Sequence, residues 1–273
     1  MKKLISSILE LNSFENSLFI YSLSFSLLLT IAPFCIALVL SIQIFELDAS
    51  YLIEILFHYL PYDFIYPFID YLFIKNYNSL SLLSMFFSLY LSSRCIYSFL
   101  LISSSLEDIH YPLWSLRIYS IYEFIIIYVY ILLYMYISTF LSKYTLLPII
   151  FYFGASLLGF YTFYHLCTFK KQKKTYGLIG ALFVTISLYL IGILFYKSIS
   201  IFTNYESIYG PLSSFMIVLL LVYIIANIIY LGYILNNKFT NSIVKQNRKN
   251  TFFKNCDKIE KYIRERVFYE NRN

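Results

Sequence analysis

SLFIYSLSFSLLLTIAPFCIALVLSIQIF, residues 17–45, runs for 29 residues without one Asp, Glu, Lys, Arg or His. A hydrocarbon core about 30 Å thick is crossed by about 20 apolar residues in a helix. Five more stretches follow it: Ser79–Ser103, Ile118–Leu141, Tyr144–Phe169, Tyr176–Tyr196 and Gly210–Asn236. Each is long, apolar and broken by at most a single ionisable side chain. Inside hydrocarbon every backbone N–H and C=O must be satisfied within the segment, so all six read as helices. The expected fold is all-α, a polytopic membrane bundle of six transmembrane helices with interfacial amphipathic helices.

Composition agrees with this reading. Hydrophobic residues make up 60% of the 273 positions and charged residues 13%, about half the charged fraction of a soluble domain. Six spans and their connections nearly exhaust the chain. One membrane domain, residues 17–236, is expected between a cytoplasmic amphipathic segment, 1–16, and a basic cytoplasmic tail, 237–273. In the first of these, Leu4, Ile5, Ile8, Leu9 and Leu11 have the spacing of a helix lying on a membrane surface. The apolar run after it is too long for a signal-peptide core and is followed by no small-residue cleavage site.

Basic residues orient the bundle. Lys2 and Lys3, the connection Lys170-Lys171-Gln172-Lys173-Lys174, and a tail with ten Lys or Arg against four acids all fall on one face of a six-span arrangement. The other face takes Glu46, Asp48, Glu54, Asp63 and Asp70, with fewer lysines. The basic face is cytoplasmic by the positive-inside rule, which puts both termini inside a bacterial cytoplasmic membrane. The tail is then expected to meet the anionic inner leaflet, either as a helix over Asp257–Val267 or as a disordered segment. Residues 49–74, with Glu54, Asp63 and Asp70 and with Pro61 and Pro67, carry too much charge for a crossing. They read as outer interfacial helices meeting at the prolines. Glu107–Arg117 reads as a shorter inner interfacial element.

Catalytic patterns are lacking. Cys35, Cys95, Cys167 and Cys256 form no C-x-x-C pair, and Glu54 with His58 has no second ligand pair to complete a metal site. There is no phosphate-binding glycine loop, no nucleophile elbow and no nucleic-acid motif. An enzyme is not expected, nor a metal, a cofactor or a nucleic-acid partner. The oligomeric state stays open.

Three ionisable residues fall inside spans, Arg94, Glu123 and His165. Such residues usually face a bundle interior or a wet cavity. Arg94 lies roughly 13 Å from the inner end of its span and Glu123 roughly 8 Å into the next, at 1.5 Å per residue. An Arg94–Glu123 pair is the leading reading of the core charge. The competing reading sends Glu123 to the inner headgroups and leaves Arg94 to a structural role or to lipid phosphate. His165 reads as interfacial. Gly154, Gly159, Gly177, Gly180 and Gly192 are expected to serve close helix packing, and Gly210 the turn before the last span.

The motif set resembles the YihY/BrkB family of bacterial inner-membrane proteins, older members of which carried the label ribonuclease BN. Leu-Leu-Leu-Thr-Ile-Ala-Pro-Phe (27–34) is similar to an apolar run closing on a proline, here Pro33. Tyr-Leu-Ser-Ser-Arg (90–94) matches a serine–arginine pair, and Tyr-Gly-Leu-Ile-Gly-Ala-Leu (176–182) a glycine-rich helix start. Ser-Ile-Tyr-Gly-Pro-Leu-Ser-Ser (207–214), holding Tyr209 and Gly210, and Leu-Gly-Tyr-Ile-Leu-Asn (231–236), holding Gly232, resemble the last two signatures. The likeness covers about residues 17–237. The chain departs from the family where Ile234 replaces an acid, Tyr223 a Trp, and Tyr176 a Pro. The resemblance implies a role in envelope lipid handling, including transport across or out of the inner membrane. A small-solute channel or exporter and a non-transporting scaffold remain as alternatives.

Overall fold

A computed structural model describes residues 13–44, 79–109, 111–141, 147–169, 173–209, 211–239, 252–253, 255–256 and 258–262. These are mostly helical, with no strand among them. The helices are α1 (Phe14–Ile44), α2 (Ser79–Ser92), α3 (Arg94–Leu106), α4 (Leu113–Leu141), α5 (Leu147–Leu166), α6 (Leu178–Tyr209) and α7 (Pro211–Phe239). Within α1, α2–α3, α4 and α7, four helical stretches are long and apolar enough to cross a membrane, and Leu178–Leu194 of α6 is a shorter apolar one. Residues 1–12 of the interfacial segment expected over 1–16, all of 49–74, and Gly210 lie outside the described residues, while 14–16 open α1.

The helices close into a ring. α1 packs on α2, α3 and α7; α4 packs on α3 and α5; α6 packs on α5 and α7. Near its centre the Phe99 ring of α3 meets Phe163 and Tyr164 of α5 and Tyr233 of α7, with centroids 4.8, 6.3 and 5.3 Å away. Unlike a soluble core, this one is held partly by small polar side chains. Ser22 pairs with Ser98 at 3.3 Å, and the Thr30 hydroxyl of α1 donates to the Ser92 carbonyl of α2 at 3.5 Å. Between helices in lipid, close approach and such hydrogen bonds replace the missing hydrophobic drive.

Local chemistry sets the helix boundaries. α2 and α3 are nearly continuous, because Ser93 N–H still donates to the Leu89 carbonyl and Tyr97 N–H to the Ser93 carbonyl. α4 begins at Leu113, five residues before the expected Ile118. Pro112 ends the preceding turn, and its carbonyl accepts from Ser115 and Leu116. Arg117 thus belongs to a long helix rather than to a separate interfacial element. Pro33 sits inside α1 and removes one backbone donor there. The next ring, Phe34, meets Phe124 and Tyr128 of α4 edge-on at 6.2 Å.

The tail does not simply trail away. Residues 252–253, 255–256 and 258–262 are helical, and Phe253 and Cys256 are buried. Phe253 stacks on Tyr111 at 4.3 Å and packs against Tyr119 and Phe169. The described tail helix therefore starts ahead of the expected Asp257 and is anchored to the bundle end where α3 finishes.

Candidate functional site

Arg94 and Glu123 do not pair. On α3, Ile96, Phe99, Leu100 and Ser103 are buried at helical i, i+3, i+4 and i+7 spacing, with Ser98, Ile102 and Ser104 buried beside them. Position 94 is on the opposite side of that helix and its side chain is exposed. Glu123 is fully buried on α4. It accepts a weak bond from the Cys167 thiol at 3.7 Å, while its Oε1 has no hydrogen bond. His165 is half-buried and stacked on Tyr161 at 5.8 Å.

On the outward stripe of α2–α3 lie Tyr90, Arg94 and Tyr97, spaced by four and three residues and so on one face. A second arginine arrives from α4. The Arg117 guanidinium lies 4.4 Å from the Tyr90 ring centroid and 5.6 Å from that of Tyr97. Its Nη2 donates to the Tyr90 carbonyl at 2.9 Å, and its buried Nη1 has no hydrogen-bond partner. No described carboxylate forms a salt bridge with either arginine. Around them the surface is apolar, with Phe86, Ile118 and Tyr122 well exposed. In a membrane bundle that surface faces lipid.

A separate polar cluster closes the end of the bundle where α3 finishes. Glu107, buried at the C-terminal end of α3, accepts Thr168 Oγ1 at 2.6 Å, Phe169 N–H at 3.1 Å and the Tyr233 hydroxyl at 3.1 Å. Tyr233 also shares a hydrogen bond with Ser103 at 2.7 Å. Nearby, Tyr176 donates to Asn237 at 2.8 Å. In the chain Glu107 only opens the expected inner interfacial element, because its partners lie 61 to 126 positions away and only the fold joins them.

The glycines divide into two kinds. Gly177 has φ +91° and makes the turn into α6. Gly180 and Gly232 sit where α6 and α7 cross. A Cβ on Gly180 would strike the Gly232 carbonyl and the Asn236 amide, and one on Gly232 would strike the Tyr164 hydroxyl. Asn236 Oδ1 accepts Gly180 N–H at 2.6 Å across this crossing. Gly159 lies against the Tyr130 ring, whereas a Cβ added at Gly154 or Gly192 would meet no atom of the described residues within 4 Å. Both are half-buried, and among the described residues neither is approached as closely as Gly180 and Gly232. Tyr209 is the last residue of α6, and Pro211 opens α7.

Long apolar helices closed into a ring, with a polar seam at one end and cations on an apolar flank, define a polytopic helical membrane protein. Residues 8–254 match the family model described as Virulence factor BrkB. The chain belongs to this family. Comparison with curated proteins and with solved structures finds no match.

Proposed function

We propose that the protein handles envelope lipids, moving them across or out of a bacterial cytoplasmic membrane. One observation carries the reading: Arg94 stands exposed on the lipid-facing flank with no carboxylate partner among the described residues. A guanidinium in that position is costly unless an anion or water meets it. The molecules at hand on that surface are lipids, whose headgroups supply anions while their tails stay in the bilayer. The activity is transfer rather than catalysis, and the partners are membrane lipids rather than nucleic acid. The bundle has both termini in the cytoplasm, with the basic tail against the anionic inner leaflet.

The test is a leaflet-exchange assay in phosphatidylglycerol vesicles that carry a headgroup-labelled lipid. Dithionite destroys outer-leaflet label only, so lipid transfer by the protein raises the quenched fraction above about half. A quenched fraction equal to that of protein-free vesicles contradicts the reading.

A further inference from the structure

We infer that Arg94 and Arg117 together form a site for the phosphate of an anionic lipid headgroup, beside the Tyr90 and Tyr97 rings. The inference rests on the lipid-handling reading and gives it a place and a ligand class. Tyr90 and Tyr97 flank Arg94 on one helix face, and the Arg117 guanidinium lies over both rings. Two guanidinium groups therefore share one patch.

Arg117 is already fixed. Its Nη2 is used by the Tyr90 carbonyl, and its cation is held over aromatic faces. Its Nη1 is buried and lacks an acceptor. A buried donor left unbonded is rare and costly, so it marks a place where an acceptor belongs. Arg94 contributes a whole guanidinium fork with nothing bound to it. Planar forks suit the paired oxygens of a phosphate. The one fully buried acid nearby on α4, Glu123, is turned into the core toward Cys167 and does not neutralise the patch.

Depth gives the site its meaning. α2 and α3 together run from Ser79 to Leu106, about 42 Å at 1.5 Å per residue. Arg94 lies within about 2 Å of the midpoint of that length. A resting phospholipid keeps its phosphate at the interface, roughly 15 Å or more from the bilayer centre. Arg117 is the fifth residue of α4, about 6 Å from the start of that helix, so the two guanidinium groups reach from one end of α4 towards the middle of α2–α3, along the line a headgroup follows when it moves inward. The exposed flank at Phe86, Ile118 and Tyr122 leaves the acyl chains in contact with hydrocarbon.

Native mass spectrometry of the full chain, released from detergent with phosphatidylglycerol or phosphatidylcholine added, reads the site directly. Wild type should retain phosphatidylglycerol in preference to phosphatidylcholine. Arg94→Gln and Arg117→Gln should each lower that retention about tenfold, the scale of one lost charge-assisted bond, and Arg117→Lys should recover part of it. Arg94 makes no contact that holds the fold, so Arg94→Gln carries the test even if Arg117→Gln unfolds. Unchanged retention in Arg94→Gln overturns the site. So does displacement of the lipid by millimolar inorganic phosphate, which assigns the patch to a free anion. Arginine-dependent retention without leaflet exchange upholds the site while removing the transport reading.

Discussion

Glu107 Oε1 accepts the Tyr233 hydroxyl at 3.1 Å, joining the end of α3 to α7 across 126 positions of chain. With Thr168 Oγ1 and Phe169 N–H on the same carboxylate, three segments meet at one side chain. Glu107→Leu should leave these buried donors unbonded and cost about 2–4 kcal/mol of stability. Glu107→Gln, which keeps one acceptor, should cost less. Thermal melting in detergent checks the order, and equal melting of Glu107→Leu and wild type contradicts it.

Gly180 and Gly192 provide a matched pair. Gly180→Ala drives a methyl into the Gly232 carbonyl and the Asn236 amide and should sharply reduce folded protein. Gly192→Ala meets open space within a helix and should be neutral or stabilising by about 0.5–1 kcal/mol. Fluorescence-detected size exclusion of both variants reads the difference. Similar yields would show that α6 and α7 do not cross at Gly180.

Glu123 has one oxygen without a hydrogen bond and no cationic partner among the described residues. Replacing it by Gln removes the cost of burying an unpaired acid, so melting should hold steady or rise. A fall of several degrees in Glu123→Gln that a second change, Arg94→Gln, does not deepen would restore the pairing that the structure lacks.

Phe253 anchors the tail on Tyr111, Tyr119 and Phe169. Phe253→Ala should remove about 3 kcal/mol of packing at most, much of it local to the tail. The readout is limited proteolysis: cleavage near residues 252–262 should speed up many-fold while the bundle stays intact. Equal cleavage of variant and wild type would mean the tail is held elsewhere.

The spans were legible because an uncharged run of 29 residues admits few structures. Their register against one another was harder to read. Arg94 announced itself as a charge inside a span, and intramembrane charge suggested an acid partner. Its facing was only half written in the chain: Ile96, Phe99, Leu100 and Ser103 form a helical stripe away from position 94, yet Ser98, one turn beyond Arg94 on its own face, is buried as well. Mean apolarity hides that stripe, because lipid-facing and buried positions are alike hydrophobic. Arg117 escaped because Pro112 and Trp114 made its surroundings look interfacial. Glu107 escaped because its partners are brought together only by tertiary packing. Gly180 and Gly192 look alike in the chain, and only the neighbouring helix distinguishes them.

A cryo-electron microscopy map of the protein in phosphatidylglycerol nanodiscs tests the central claim most directly. The account predicts headgroup density touching both Arg94 and Arg117, with acyl density running along Phe86 and Ile118, and loss of that density in Arg94→Gln. A map in which protein, from this chain or a second copy, encloses Arg94 with no lipid beside it would contradict the account.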